Sequence, residues 1–148
     1  MKKIKILAVG KVKEKYILDG IAEYAKRLSR FCEFSITEIE DIASADAVKK
    51  ESDKLLAKMT GYCILLDLRG EQVSSEQLSV IIDKAFITNP ELTFIVGGSD
   101  GVDARIRERA QKMVAFGKIT FPHQLMRLVL TEQIYRALNI SANTPYHK

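Results

Sequence analysis

The hydrophobic and polar positions of this chain form five short apolar segments, separated by longer segments with helical periodicity. The short segments predict β-strands, because they are rich in β-branched and aromatic residues and end near residues that favour turns. They cover residues 3–9, 34–39, 62–68, 91–96 and 113–116. The third contains the continuous apolar run 63–66, which is typical of a strand buried on both faces of a parallel sheet.

Apolar residues recur at helical spacing between these strands and predict five helices. The helices cover residues 14–28, 45–59, 74–87, 102–111 and a last segment that has Pro122 in its first turn and ends near Asn139. Ser44 is the predicted N-cap of the second helix, and Ser74 forms a predicted capping box with Gln77. The alternation of strand and helix predicts an α/β fold with three layers, in which a mostly parallel sheet carries helices on both faces.

The last predicted helix is apolar on more than one side. Met126, Leu130 and Ile134 form one apolar arc, and Leu125 and Leu128 lie on other faces. A helix that is apolar on several faces requires burial on several sides. We therefore expect it to pack against a second copy of the chain, and a central helix of a monomer is the alternative.

Length and composition favour one globular domain over residues 1–148, since 47% of the residues are hydrophobic and 28% are charged. The net charge of +4 and the isoelectric point near 9.0 permit an anionic partner such as RNA without requiring one. Cys32 and Cys63 lack the spacing of a metal or redox motif, which predicts buried, reduced thiols in a cytoplasmic protein. No signal peptide, membrane span or metal site is expected, and His123 and His147 are far apart.

A glycine-rich loop at residues 97–101 follows the fourth predicted strand. As a G-x-S-x-G sequence it could be the nucleophile elbow of a serine hydrolase that uses Ser99, although the chain is short for that fold. The spacing of its glycines does not match a dinucleotide-binding loop. A third interpretation is a cofactor loop, in which the absence of side chains lets a ligand approach backbone N–H groups.

Two other segments are expected to join this loop. Leu66 near the end of the third strand and the loop of residues 116–121 would meet it, because parallel strands present their carboxyl ends at one edge of the sheet. Apolar residues such as Leu66, Ile119 and Phe121 would then flank an aromatic base. Alternatively, the glycines only form turns.

Polar residues near the start and end of the last helix are further candidates. His123, Gln124 and Arg127 lie near the proposed loops, and helix capping and packing could also explain them. The closing residues 145–148 combine an aromatic ring that can stack on a base, an imidazole that can exchange a proton, and a lysine that can bind phosphate. A frayed chain end is the structural alternative.

Several of these segments together resemble the RlmH family of ribosomal RNA large-subunit methyltransferases. The resemblance lies in residues 6–11, 97–99, 120–127, 132–137 and 145–148, and it extends over the whole chain. It implies a SPOUT-class α/β fold with a carboxyl-terminal trefoil knot and a homodimer. It also implies transfer of a methyl group from S-adenosyl-L-methionine to N3 of a pseudouridine in 23S ribosomal RNA.

The resemblance also assigns site residues. The cofactor contacts would be Leu66, Gly97 and the consecutive residues Phe116, Gly117, Lys118, Ile119, Thr120 and Phe121. Tyr146 would hold the target base and His147 would handle its proton.

One departure from the family concerns residues 141–144. Many members have an arginine-glycine pair before the closing tyrosine and histidine, whereas this chain has Ser-Ala-Asn-Thr. Arg127, Arg136 or Lys148 would have to replace that arginine if it binds RNA or cofactor. The alternatives to a methyltransferase are a non-catalytic ribosome-binding or RNA-binding protein and the serine hydrolase.

Overall fold

The computed structural model describes residues 2–147. Its strands are β1 (Lys3–Val9), β2 (Glu33–Ile39), β3 (Tyr62–Gln72), β4 (Glu91–Val96) and β5 (Lys112–Ala115). The helices that alternate with them are α1 (Lys15–Leu28), α2 (Ala47–Lys58), α3 (Ser75–Thr88), α4 (Ala104–Arg109) and α5 (His123–Ser141). This order confirms the alternation of strand and helix predicted from the sequence.

The strands form one sheet in the order β2-β1-β4-β3-β5, and every neighbouring pair is parallel. β1 lies between β2 and β4, so that Ile6 is opposite both Ile36 and Phe94. Because all five strands point the same way, the loops that follow them lie at a single edge of the sheet.

The side chains of β1 alternate between two cores. Ile4, Ile6 and Ala8 belong to a core that also contains residues of α1, α3 and α5. Leu7 and Val9 belong to a second core on the other face, with residues of α2 and α4. The sheet therefore separates two helical layers, which confirms the predicted three-layer α/β class.

α5 lies between α1 and α3 on one face of the sheet. Leu130 and Ile134 are fully buried in the core beneath it. Leu125 and Leu128 pack on a smaller cluster that includes Ile17 of α1. Contacts within one protomer thus cover several apolar faces of α5, and its contact with a second copy stays a prediction.

β3 continues beyond its predicted end at residue 68 to Gln72, with an irregularity between Leu66 and Glu71. Both of these residues pair with Val114 of β5, so the strand leaves its neighbour and then rejoins it. Gly70 permits this close approach, because a Cβ there would lie 2.7 Å from the backbone nitrogen of Val114. The result is a short bulge next to the carboxyl end of β4.

The predicted cap of α2 is wrong. The helix begins at Ala47 and its N-cap position is Asp46, which makes no side-chain cap hydrogen bond. The hydroxyl of Ser44 instead donates to Oδ1 of Asp46 at 2.7 Å. The short polar side chain of Ser44 therefore serves a local turn rather than the helix.

Other helix boundaries differ by a few residues or are as predicted. α4 is shorter than expected at both ends, and it begins late because Asp103 caps it, accepting a hydrogen bond from the backbone N–H of Arg105 at 3.0 Å. Pro122 is the N-cap residue of α5 rather than a residue of its first turn. The capping box of Ser74 and Gln77 is confirmed, with hydrogen bonds of 3.1 and 2.8 Å.

Cys32 and Cys63 are buried free thiols, as predicted. Burial raises the pKa of Cys32 to about 11. In the described part of the chain, no helix is both long and apolar enough to cross a membrane.

Candidate functional site

A cavity of about 620 Å³ lies at the carboxyl ends of β3, β4 and β5. We call it the strand-end cavity. Its walls consist of residues 66–69, 96–102, 114–116, 119–123 and 126. Segments far apart in sequence meet here because the parallel sheet places the ends of these strands at one edge.

Six of the eight predicted cofactor residues line the strand-end cavity. These six are Leu66, Gly97, Phe116, Ile119, Thr120 and Phe121. Gly117 and Lys118 belong to the same loop but do not line the cavity. Gly117 has a φ of +111°, a conformation that residues with a Cβ rarely adopt, and so it turns the chain between the lining residues.

Most of the cavity wall is backbone and apolar side chain. Ile119 is 72% exposed, which leaves a large apolar side chain uncovered within a single chain. The polar side chains include Asp67, whose Oδ1 accepts a hydrogen bond from the backbone N–H of Arg69 at 2.9 Å. Asp100 and His123 also line the cavity. Such a wall suits a ligand with a flat apolar part and a few polar groups.

The glycine loop packs directly on the interior. A Cβ on Gly98 would lie 3.2 Å from Cγ1 of Val9 and 3.2 Å from Oε1 of Glu51. Glu51 is buried, and its Oε2 accepts a hydrogen bond from the backbone N–H of Ile42 at 2.9 Å. Burial raises the pKa of Glu51, and Asp41 and Asp100 nearby act in the same direction. The loop therefore has little room to move inward.

Ser99 lines the strand-end cavity but lacks the surroundings of a hydrolase nucleophile. A nucleophile elbow leads directly from strand to helix, whereas α4 begins only at Ala104. Within residues 2–147 the structure shows no hydrogen bond between Ser99 and a histidine. The geometry does not favour the serine hydrolase interpretation.

The predicted catalytic residues of the tail do not line the strand-end cavity. The hydroxyl of Tyr146 donates to Oε2 of Glu132 at 2.7 Å, and its ring contacts that of Tyr135 edge to face. The guanidinium of Arg136 lies 4.9 Å from the centre of the Tyr146 ring. Burial raises the pKa of Tyr146, and the neighbouring Tyr24 and Glu132 raise it further.

Both ring nitrogens of His147 have partners. Nε2 lies 2.7 Å from Oε1 of Glu76, and Nδ1 lies 3.4 Å from Nη1 of Arg136. Arginine can only donate, so Nδ1 accepts and a neutral ring carries its proton on Nε2, which donates to Glu76. We call Tyr146, His147, Glu76, Glu132 and Arg136 the tail cluster. Within one protomer, the hydroxyl of Tyr146 and both ring nitrogens of His147 therefore contact other members of this cluster.

Arg127 is fully buried, so the expectation that it could replace the family's RNA-binding or cofactor-binding arginine is wrong. Its Nη1 donates to Oε2 of Glu38 at 2.7 Å, and its Nη2 donates to the carbonyl oxygens of Val9 and Gly10, each at 3.1 Å. Its Nε has no partner in the structure described. Arg127 therefore ties α5 to the ends of β1 and β2.

The other two candidate cations differ. Nη2 of Arg136 forms an ion pair with Oε2 of Glu132 at 2.7 Å and is not free for phosphate. Lys148 lies outside the described residues.

A second cavity, of about 410 Å³, lies at the carboxyl ends of β1 and β2. Its lining consists of Gly10, Lys11, Lys13, Glu38, Ile39, Glu40, Asp41, His123 and Gln124. His123 lines both cavities. The sequence analysis did not predict this second cavity, although charged residues follow both strands and could have indicated it.

In residues 2–147, no three histidine, cysteine, aspartate or glutamate residues are grouped so that they could hold a metal ion.

Comparison with known proteins gives consistent matches. A family model described as "Predicted SPOUT methyltransferase" matches residues 1–147. A protein named "Ribosomal RNA large subunit methyltransferase H" from Streptococcus uberis is 47% identical over 158 aligned positions, covering 99% of each chain. Proteins of the same name from Pediococcus pentosaceus and Carboxydothermus hydrogenoformans are 45% and 46% identical, covering 98% of this chain and 99% of the relative.

A solved structure also resembles this fold. It is described as a probable methylase family protein from Haemophilus influenzae, and it matches with a TM-score of 0.58 at 7% identity. The match covers 98% of this chain and 70% of that one. At this low identity the likeness concerns the fold alone.

Proposed function

The chain belongs to the SPOUT methyltransferases and, within them, to the RlmH family, and on this basis we propose that it methylates N3 of a pseudouridine in large-subunit (23S) ribosomal RNA. The methyl donor is S-adenosyl-L-methionine. The observation that carries the proposal is the strand-end cavity, which the three predicted segments line together.

The residues of the strand-end cavity fit this donor. Its volume of about 620 Å³ lies within the range usual for small-molecule sites. Leu66, Ile119 and Phe121 offer apolar surface to an adenine ring, and the glycine loop offers backbone groups to its polar edge. Carboxylates at Asp67 and Asp100 suit the positive charge of the donor. We assign Leu66, Gly97 and residues 116–121 to cofactor binding.

Bound there, S-adenosyl-L-methionine would supply an electrophilic methyl group with a neutral thioether as its leaving group, and N3 would have to lose its proton. The protein must align the nitrogen and remove that proton. We assign the proton to His147 and the positioning of the base to Tyr146. Both assignments require the tail cluster to open, because it engages both residues within one protomer.

A homodimer offers one way to bring a tail to a cavity. A groove of about 300 Å³ beside α5 includes Val129, Phe116 and Phe121 in its lining, and the two phenylalanines also line the strand-end cavity. A second protomer seated on this groove would contact the cofactor loop directly. Together with the partly exposed apolar residues of α5, this supports a homodimer and a site completed by both copies.

Exposed cations surround the two cavities and suit an RNA substrate. Arg69 and Lys118 lie beside the strand-end cavity, and Lys11 and Lys13 line the second cavity. We therefore propose that the protein acts on ribosomes in the cytoplasm. Its measured affinity for ribosomes should fall steeply as salt is added, because protein contacts with phosphate release counterions.

Two measurements test the proposal. Calorimetry should show that S-adenosyl-L-methionine binds at micromolar concentration, which a non-catalytic RNA-binding protein would not require. Labelled cofactor should then transfer its methyl group to ribosomes that lack the modification, and mass mapping should locate it on N3 of a pseudouridine. Cofactor binding without transfer to these ribosomes would contradict the proposed substrate.

A further inference from the structure

We propose that the second cavity binds the target base, and that Glu38 and Gln124 select pseudouridine over uridine. This inference deepens the proposed function and rests on it. It assigns a substrate site to Glu38, which was not a candidate from the sequence, and gives a role to Gln124, which was a candidate only by its place near the proposed loops.

The second cavity lies beside the strand-end cavity. β1 and β4 are neighbours in the sheet, and Ala8 is opposite Val96 just before the two cavities begin. His123 lines both cavities, and a Cβ on Gly10 would lie 3.6 Å from its Nε2. A base in the second cavity would therefore be adjacent to a methyl donor held in the first.

Glu38 presents one fixed, unused acceptor. Its Oε2 accepts hydrogen bonds from the backbone N–H of Val12 at 3.2 Å and from Nη1 of Arg127 at 2.7 Å. The structure shows no hydrogen bond to Oε1 from any residue in the range 2–147. Because Arg127 is buried and anchored to the carbonyl oxygens of Val9 and Gly10, it holds the carboxylate in place.

Gln124 presents a donor. Its Oε1 accepts a hydrogen bond from the backbone N–H of Lys13 at 3.1 Å, which fixes the orientation of the amide. The amide nitrogen has no hydrogen bond within the described chain. The second cavity thus offers one free acceptor at Glu38 and one free donor at Gln124.

This pair matches an edge that pseudouridine has and uridine lacks. In uridine N1 is bonded to the ribose, whereas in pseudouridine the ribose is bonded to C5 and N1 carries a hydrogen. The N1–H can donate to Glu38 while O2 accepts from Gln124, and N3 on the other side of O2 stays free for methylation. Uridine could give Oε1 of Glu38 no such N–H while its N3 stays free for methylation, and a site built to bind an N–H strongly rejects an analogue without it.

Two variants test the pair in different ways. Glu38→Gln can keep an acceptor for Arg127 but places an N–H where the acceptor is needed. Gln124→Glu leaves Glu38 and Arg127 unchanged and replaces the donor with an acceptor, so it still decides the question if Glu38→Gln does not fold. Glu33→Gln is the matched control, because Glu33 is exposed at the opposite end of the same strand.

The experiment compares methyl transfer to ribosomes that carry pseudouridine or uridine at the target position. We expect the wild-type protein to prefer pseudouridine, and each variant to lower the ratio of the two kcat/KM values by about 10-fold or more. The control should keep the wild-type ratio, and calorimetry should show that all four proteins bind the cofactor equally.

Two results would overturn the assignment of Glu38 and Gln124. One is a wild-type protein that methylates both ribosomes equally, and the other is an unchanged ratio in the folded variants. A wild-type protein that binds cofactor and methylates neither ribosome would instead overturn the proposed function. The ratio also separates recognition from a merely structural role, because misfolding lowers transfer to both ribosomes alike.

Discussion

The strand-end cavity and the tail cluster are built in opposite ways. The cavity is lined largely by backbone and apolar side chains, and Ile119 lies uncovered beside it. In the tail cluster the Tyr146 hydroxyl and both nitrogens of His147 have partners on α3 and α5. The cavity can therefore bind a ligand without rearrangement. The hydrogen bonds of Tyr146 and His147 within the tail cluster must break before these residues can contact a substrate.

The largest effect should come from a change in the β3 bulge, next to the strand-end cavity. In Gly70→Ala the new Cβ would lie 2.7 Å from backbone atoms of Met113 and Val114, so β3 and β5 must separate. We expect the free energy of unfolding to fall by about 1–3 kcal/mol, a cost typical of overpacking. Cofactor affinity should fall by about 10-fold or more. Chemical denaturation and calorimetry measure the two effects.

Gly20→Ala is the control for this change. Its Cβ would lie 2.9 Å from Cδ1 of Leu128, the end of a flexible side chain that can move aside, and alanine favours the helix. Stability and cofactor affinity should stay close to wild type. If Gly70→Ala behaves in the same way, the bulge does not shape the strand-end cavity.

A smaller effect, confined to the tail, is expected from Glu132→Gln. The carboxylate of Glu132 binds both Arg136 and Tyr146 at 2.7 Å, and its side chain is only 18% exposed. Loss of its charge should lower the free energy of unfolding by about 1–2 kcal/mol, because both hydrogen bonds weaken. Nuclear magnetic resonance should show a more mobile Tyr146 ring, while calorimetry shows unchanged cofactor affinity.

The matched control is Glu23→Gln on α1. Glu23 and Arg27 form the same kind of pair one helical turn apart, but their side chains are 52% and 42% exposed. Because solvent screens this exposed pair, Glu23→Gln should lower the free energy of unfolding far less than Glu132→Gln does. If the two substitutions lower the free energy of unfolding equally, Glu132 stabilises the tail no more than an exposed glutamate stabilises its helix.

The smallest effect should come from pH, and it should distinguish the two regions. A hydrogen bond to its own backbone, followed by the contact with His147, lowers the pKa of Glu76 below its ordinary value of 4.5. A lowered carboxyl pKa means that the contact is fully present above the ordinary value and is lost as pH falls through the lowered one. The tail should therefore loosen only as pH falls below the ordinary value of 4.5 and through the lowered pKa of Glu76, whereas the cavity has no comparable dependence on this group.

Ring resonances can follow this transition. The Tyr146 signals should shift between pH 6 and pH 3, and the part of that shift that depends on Glu76 should be absent from the Phe116 signals of the strand-end cavity. Glu76→Gln should remove the part of the Tyr146 shift that depends on this carboxyl. A Phe116 shift that parallels that of Tyr146 would show that the two regions are coupled.

The sequence predicted the architecture well because local patterns and tertiary burial agree. The continuous apolar run of β3 favours a buried strand, and the capping box at Ser74 favours the start of a helix. The structure has both. Ser44 was misassigned because its hydroxyl has a nearer partner in Asp46. The extension of β3 depends on the backbone contact at Gly70, which hydrophobic periodicity does not encode.

The site was only partly predictable for a related reason. The strand-end rule brought Leu66, Gly97 and residues 116–121 together, because it depends only on strand direction. The partners of Tyr146 and His147 come from α3 and α5, and such contacts between distant side chains leave no spacing in the sequence. The burial of Arg127 was missed for the same reason, because its partners lie on β1 and β2.

The strand order also bears on how the protein reaches its native state. β1 pairs with β4, and Lys3 lies opposite Glu91, about 90 residues later in the chain. During synthesis the first strand therefore emerges long before one of its two neighbours exists. Closing so long a loop carries an entropic cost that few local contacts offset beforehand, and we expect slow folding in which both cavities form late.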